Sequence, residues 1–234
     1  MKKTMKMKQA VKLIAKMYLA IITVCVVYRT FILLKAKKDV KLDKKVEAIM
    51  HSAINDCMNV LKLKQRPDIE IVDSTDERFV MMAMGEFTYN PLTRAILQCE
   101  NANLIKVNVT AIEQEMQLYY QKFGKQAGYD YIYLSMCHEM RHLWQYETGW
   151  YIGKQYNPAQ DELTRNISGH GSLDEEVDAN QFATKMAIPK GIQALAEFME
   201  ATQRIAGLLY VDSNTRRTIR NKATEVAKYY RSLR

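Results

Sequence analysis

Five consecutive residues, His-Glu-Met-Arg-His at positions 138–142, restrict the possible folds of this chain more than any other part of it. On a helix, two side chains four residues apart lie about one turn apart on the same face. His138 and His142 can then direct two imidazole nitrogens at one metal ion, for which zinc is the usual choice. Glu139 lies beside them, where its carboxylate can take a proton from water. The pattern also occurs by chance on ordinary helices, so its surroundings decide its meaning.

The residues around the pentapeptide predict one continuous helix over 129–147. No glycine or proline interrupts this stretch, and apolar residues recur in it at helical spacing. Asp130 is predicted as the N-cap and Gly149 as the C-terminal stop. The helix is then about five turns long, and both histidines lie on one face of it.

A catalytic zinc site needs a third protein ligand and one open position. The histidine that some zinc peptidases have six residues after the second histidine is absent, because that position is a threonine. A second helix is predicted to follow Ser172 as its N-cap, with Glu175 completing a capping box. This leaves Glu176 to bind the metal, and Asn180 to hydrogen-bond a ligand histidine from the same face. The alternative is a solvated acidic first turn that the helix dipole favours.

Two blocks of sequence together resemble one family. His138-Glu139-x-x-His142 is followed by Glu176-x-x-Ala179-Asn180-x-Phe182-Ala183 and then by Met186-Ala187-Ile188-Pro189. The combination, within residues 80–190, resembles the ImmA/IrrE-type metallopeptidases, which are zincin-fold proteins of bacteria and their mobile elements. The resemblance implies zinc bound by His138, His142 and Glu176, with Glu139 as the general base. Arg141, the N-terminal hydrophobic segment and the lack of a helix-turn-helix distinguish this chain from many members.

The wider sequence predicts a mainly helical α+β fold with a small mixed sheet. An amphipathic helix over residues 43–63 precedes short strands, predicted at 69–72, 78–84, 86–89, 94–98 and 104–109. Helical patterns follow at 111–124, 129–147, 173–187, 191–206 and 212–233. This order is expected of a zincin-like metallopeptidase domain over residues 39–234. In such folds the strand beside the metal can pair with an extended substrate, and residues 104–108 are predicted to be that edge strand.

The net charge of +8 is unevenly distributed. Residues 1–45 carry 13 basic and 2 acidic side chains, whereas residues 46–215 carry 14 basic and 23 acidic ones. Residues 216–234 carry 7 basic and 1 acidic, so a negative centre lies between two positive ends. A basic protein suggests nucleic-acid binding. Here the basic residues mostly flank a hydrophobic segment, so a membrane surface explains them at least as well and nucleic acid is the weaker alternative.

Residues 17–34 form a hydrophobic segment with a single charge, Arg29. The segment reaches only the lower limit for a membrane-spanning helix, which needs about 20 apolar residues. Lysines on both sides of it leave its orientation open. We predict a membrane anchor within a basic N-terminal segment of residues 1–38. The alternative is a helix buried against the domain, which leaves the protein cytoplasmic. In both cases the family resemblance implies a bacterial or phage-encoded protein.

Peptide hydrolysis also needs a group that stabilises the negative oxygen formed from the substrate carbonyl. His170 is a candidate, because it lies between two glycines just before the predicted Glu176 helix. Tyr146, Tyr151 and Tyr156 are alternatives, and the sequence does not choose among them.

The sequence therefore predicts a zinc-dependent peptidase that hydrolyses a peptide or protein substrate with metal-activated water and Glu139 as the general base. The alternative is a non-catalytic zinc-binding protein with a regulatory or interaction role, membrane- or DNA-associated, because a fold and a motif do not establish an activity. An intramembrane protease is disfavoured, because Arg141, Gln145 and Glu147 on the predicted helix are too polar for lipid.

Overall fold

Residues 41–73, 79–154, 173–205 and 211–233 are described by the computed structural model of this chain. The chain divides into two units, Met1–Val40 and Lys41–Arg234. The hydrophobic helix predicted within residues 17–34 lies outside the described residues. Within the described ranges, no helix combines the length and the apolar character that crossing a membrane requires.

Six α-helices contain most of the described residues. They are α1 (Lys44–Leu61), α2 (Val109–Phe123), α3 (Lys125–Glu147), α4 (Asp174–Ala187), α5 (Gln193–Gln203) and α6 (Ser213–Ser232). The first begins where the Asp43 carboxylate accepts hydrogen bonds from the amides of Lys45 and Val46. These bonds satisfy N–H groups that have no partner within the helix.

Three strands of the described chain form one mixed sheet in the order β1-β3-β2. They are β1 (Asp68–Val72), β2 (Met81–Tyr89) and β3 (Ile96–Asn108). β1 runs parallel to β3, with Asp68 opposite Leu104, and β2 runs antiparallel to β3, with Met81 opposite Val107. The described chain is thus a mainly helical α+β fold with a small mixed sheet, which confirms that part of the prediction.

The prediction that residues 104–108 form the edge of the sheet is wrong. This segment pairs with β1 on one side and with β2 on the other, so it lies at the centre. Ile105 and Val107 are completely buried, as residues of a central strand usually are. β2 is an edge strand instead. Strand order depends on pairing between segments that are distant in sequence, so the local alternation of apolar residues does not reveal it.

Two pairs of predicted short strands are continuous in the structure. The segments predicted at 78–84 and 86–89 both fall largely in β2, and those at 94–98 and 104–109 fall largely in β3. The register between the two strands shifts between Met84 and Gly85, near the predicted break. Asn90 forms the turn, because its side-chain oxygen accepts hydrogen bonds from the amides of Leu92 and Thr93.

Helix α3 runs through the core and begins at Lys125, so the prediction of Asp130 as its N-cap is wrong. Gly124 has a φ of 109°, which lets the chain turn directly from α2 into α3. Asp130 lies inside the helix, where its carboxylate accepts a 2.6 Å hydrogen bond from the hydroxyl of Tyr230 in α6. The helix ends at Glu147, close to the predicted stop.

Candidate metal centre

The two histidines of α3 lie one turn apart and are both almost fully buried. The Nε2 atoms of His138 and His142 are 2.9 Å apart. Their ring centroids are 4.6 Å apart, and the ring planes meet at 77°. The helical spacing that was predicted from the sequence therefore brings two imidazole nitrogens to one place beside α3.

A carboxylate from α4 meets these two imidazoles. Glu176 Oε2 lies 3.1 Å from His138 Nε2, and Glu176 Oε1 lies 3.3 Å from His142 Nε2. Ala179 and Ala183 are buried on the same helix, and their small side chains allow the two helices to approach closely. The structure thus brings together the three residues that were predicted as ligands.

The three side chains form a buried group that can hold a metal ion. Their closest donor atoms are 2.9, 3.1 and 3.3 Å apart. A tetrahedral zinc ion with ligand bonds of about 2.0–2.1 Å holds its donors about 3.3 Å apart. The three side chains are therefore near this spacing, with one oxygen of Glu176 close to each histidine. Two imidazole nitrogens and a carboxylate oxygen fit zinc, and the same donors also suit other transition metals.

The second nitrogen of each imidazole is held by a side-chain amide. His138 Nδ1 lies 2.9 Å from Asn180 Oδ1, and His142 Nδ1 lies 2.8 Å from Gln145 Oε1. An amide oxygen only accepts hydrogen bonds, so each Nδ1 carries a proton. In each ring, Nε2 is then the nitrogen that faces the centre of the group, as a metal ligand requires. The hydrogen bond that was expected from Asn180 is present, and the one from Gln145 was not foreseen.

Gln145 belongs to a polar network that sequence reasoning missed. Its Oε1 also accepts a 3.0 Å hydrogen bond from the hydroxyl of Tyr151. Its Nε2 donates to the carbonyl oxygen of Glu175 and to Asp178 Oδ2, both at 2.9 Å. The signal available in the sequence was spacing, because Gln145 follows the second histidine by three residues and so lies next to it on the helix.

Arg141 joins α3 to α4, the two helices that carry the candidate ligands. Its Nε and Nη2 atoms donate to the two oxygens of Asp178, at 2.7 and 3.0 Å. Its guanidinium also lies 3.7 Å from the centre of the Trp144 ring. Burial raises the pKa of Asp178, but the hydrogen bonds from Arg141 and Gln145 outweigh this and hold it below its ordinary value. A two-point pair of this kind fixes orientation as well as distance.

Glu139 lies between the metal-binding group and the sheet. Its Oε2 accepts a 2.7 Å hydrogen bond from the amide of Ala83, in the edge strand β2. Burial raises the pKa of Glu139 above its ordinary value, although the nearby histidines and the Ala83 amide oppose this change. A carboxylate with a raised pKa is a stronger base, which suits proton transfer near neutral pH.

Strand β2 can approach α3 because Gly85 has no side chain. A Cβ atom at this position would lie 2.5 Å from Cδ1 of Tyr146, far inside van der Waals contact. The Tyr146 ring cannot easily move, since it stacks on Tyr151 and meets the edge of Phe87. Glycine is therefore required at this position, and it brings the edge of β2 within reach of α3.

Helix α4 begins at Asp174, close to the start that was predicted for it, with Leu173 as its N-cap and no side-chain capping bond. Ser172, which was predicted as the N-cap in a capping box with Glu175, lies outside the described residues. Three acidic residues occupy the first turn, where the helix dipole favours them. Glu176 is one of these three, so an acidic residue at this position is favoured by the helix dipole and also supplies the carboxylate of the metal-binding group.

The candidates for stabilising a negative substrate oxygen are only partly described. His170 and Tyr156 lie outside the described residues. The Tyr151 hydroxyl donates to Gln145, and the Tyr146 ring packs against Gly85. The geometry therefore gives these last two tyrosines roles in holding the α3 side of the site.

No family model, curated protein or solved structure matches this chain. The observations that bear on its function are those of the site. They are the buried group of His138, His142 and Glu176, the carboxylate of Glu139 next to it, and the nearby edge of β2.

Proposed function

We propose that this protein is a zinc-dependent peptidase of the ImmA/IrrE type. The observation that carries the proposal is the convergence of one donor atom each from His138, His142 and Glu176, all within 4.8 Å of one another. Among the described residues, no further histidine, cysteine or acidic residue joins this group. Structural zinc sites have four protein ligands, whereas catalytic sites have three and keep one position open. The three candidate ligands among the described residues, with Glu139 next to them, therefore favour catalysis.

The chemistry follows from the side chains around this group. A zinc ion, when bound, supplies a Lewis acid that polarises a carbonyl and lowers the pKa of water toward neutrality. Glu139 takes the proton of the attacking water and passes it to the leaving amine, a task that its raised pKa supports. An extended peptide can pair with the edge of β2, next to Ala83. The strand that would pair with the substrate is therefore β2, because residues 104–108 lie at the centre of the sheet.

Metal content tests the zinc site. The full chain is purified without chelators or metal-affinity tags and compared with Glu176→Gln and with Glu175→Gln. The matched control is sound because the Glu175 side chain lies outside the metal-binding group. We expect about one zinc ion per chain in the wild type and in Glu175→Gln, and a weakened or lost metal in Glu176→Gln. A folded wild-type protein that takes up no zinc would contradict the proposal.

Hydrolysis of a mixed peptide library and of unfolded casein then tests the reaction. The zinc-loaded wild type is compared with Glu139→Gln, which keeps the shape of the side chain but cannot accept a proton. We expect the variant to keep its zinc and to lose about 10²-fold or more in rate. Equal rates of hydrolysis by the wild type and Glu139→Gln would contradict the role of Glu139 as the general base. Zinc binding without any cleavage by the wild type would favour the non-catalytic alternative.

A further inference from the structure

We propose that Gln145 is a positioning residue of the metal centre, which orients His142 and fixes helix α4 through a single side-chain amide. The inference rests on the zinc binding proposed above and adds how the site is assembled. Gln145 is 0% exposed. Its amide makes four hydrogen bonds of 2.8 to 3.0 Å, two through the oxygen and two through the nitrogen.

The partners of the Gln145 nitrogen determine which way the amide faces. The Glu175 carbonyl oxygen and the Asp178 carboxylate are both acceptors, so the atom between them has to be the NH2 group. The amide oxygen then faces His142 Nδ1 and the Tyr151 hydroxyl. Since this oxygen cannot donate, Nδ1 of His142 carries a proton, and Nε2 is the nitrogen that remains available to a metal.

The same amide fixes the position of the third ligand. Glu175 and Asp178 lie on either side of Glu176 in the first turns of α4. Gln145 binds both of them from α3, and Arg141 binds Asp178 at two further points. The amide therefore holds the segment that carries Glu176 against the helix that carries the histidines.

The contact of Asn180 with the other histidine provides a comparison within the same site. Asn180 Oδ1 lies 2.9 Å from His138 Nδ1, whereas Asn180 Nδ2 has no hydrogen-bond partner among the described residues. Asn180 thus orients one imidazole and, within the described part of the chain, makes no second connection through its amide nitrogen. Gln145 orients His142 through its amide oxygen and also binds α4 through its amide nitrogen. Its loss is therefore expected to affect His142 selectively and to weaken the docking of α4.

The affinity of the full chain for zinc, measured by competition with a chelator, is the first readout. Gln145→Met keeps the length of the side chain and removes all four hydrogen bonds. We expect it to bind zinc about 10- to 100-fold more weakly than the wild type, the range typical for residues that hold a ligand histidine. Gln145→Glu keeps an acceptor for His142 but loses both donors to α4.

The ring N–H signals of the zinc-loaded protein, observed by NMR with labelled histidine, are the second readout. In Gln145→Met we expect the Nδ1–H of His142 to lose its protection from exchange, while the Nδ1–H of His138 keeps it. In Gln145→Glu we expect the His142 signal to be kept and to move downfield, because a carboxylate is a stronger acceptor than an amide. A residue that only filled space would not affect the His142 signal alone, and a carboxylate at this position would not preserve that signal.

The outcomes separate this inference from the proposed function. A folded wild type that binds no zinc would overturn both the function and the role of Gln145. A wild type that binds zinc, with Gln145→Met binding it equally tightly and His142 Nδ1–H undisturbed, would overturn the role of Gln145 alone. If Gln145→Met does not fold, Gln145→Glu carries the test, and an unchanged His142 signal in that variant would overturn the inference.

Discussion

His142 and Glu176 alter each other's protonation because their atoms lie 3.3 Å apart in a buried place. Burial lowers the pKa of His142, but the hydrogen bond and the charge of Glu176 outweigh this and raise it to about 9. Burial raises the pKa of Glu176, but the hydrogen bonds from both histidines bring it well below its ordinary value. In the absence of metal, both shifts favour a protonated His142 beside an ionised Glu176 at neutral pH, and a metal ion that bound here would have to displace that proton.

We expect this pair to stabilise the metal-free protein over a defined pH range. The contribution of His142 is fully present below its ordinary pKa of 6.5 and is lost as the pH rises through about 9. The contribution of Glu176 is present above its ordinary pKa of 4.5 and is lost as the pH falls through its lowered folded value.

Denaturant unfolding of the chelator-treated wild type and of Glu176→Gln measures this contribution. The difference in the free energy of unfolding is expected to be largest between pH 4.5 and 6.5 and to shrink toward pH 9. A difference that stayed constant over this range would contradict the pairing.

At the scale of elements, α3 meets a different partner on each side of its metal-binding face. On one side the Glu139 carboxylate accepts from the amide of Ala83 in β2. On the other side, Arg141 and Gln145 bind Asp178 in α4. The general-base candidate and the ligands are thus positioned by two separate contacts, which substitution can perturb independently.

Gly85→Ala tests the contact between β2 and α3. The added methyl group would meet the Tyr146 ring, and we expect a loss of stability of about 1–3 kcal/mol, the usual cost of overpacking. In a Tyr146→Leu background the same substitution should cost less, because the ring is gone. Denaturant unfolding of the wild type, the two single variants and the double variant measures the coupling energy between positions 85 and 146. If the two substitutions changed the free energy of unfolding additively, contact with the Tyr146 ring would not be the reason for glycine at position 85.

At the scale of the whole molecule, the metal-binding group exists only in the folded chain. His138 and His142 come from α3 and Glu176 comes from α4, with part of the chain between these helices outside the described residues. An unfolded chain does not hold these three side chains together. A metal ion that binds the folded state alone stabilises it in proportion to the logarithm of its concentration.

Zinc is therefore expected to raise the thermal unfolding midpoint of the wild type. At a free concentration of about 100 times the dissociation constant, the stabilisation should be about 2.7 kcal/mol. Glu175→Gln should respond equally, and Glu176→Gln much less. Thermal melts with zinc and with excess chelator measure the effect. An equal response from wild type and Glu176→Gln would place the metal elsewhere in the chain.

Much of the fold and of the candidate site could be predicted from the sequence. All six described helices overlap the predicted ones, and His138, His142, Glu139 and Asn180 lie on α3 and α4 as expected. The predictions failed where a contact between distant segments decides the outcome. The edge strand and the start of α3 are examples, since each depends on neighbours that a local pattern does not include.

The sequence by itself determined which residues share a helical face, because that property depends only on a period of about 3.6 residues per turn. It thereby placed two histidines together on one helix and selected Glu176 on another. Only the tertiary structure decided which faces meet: β2 against Glu139 through Gly85, and α4 against Gln145 and Arg141. These contacts join residues that are distant along the chain and depend on close packing, so no local periodicity contains them.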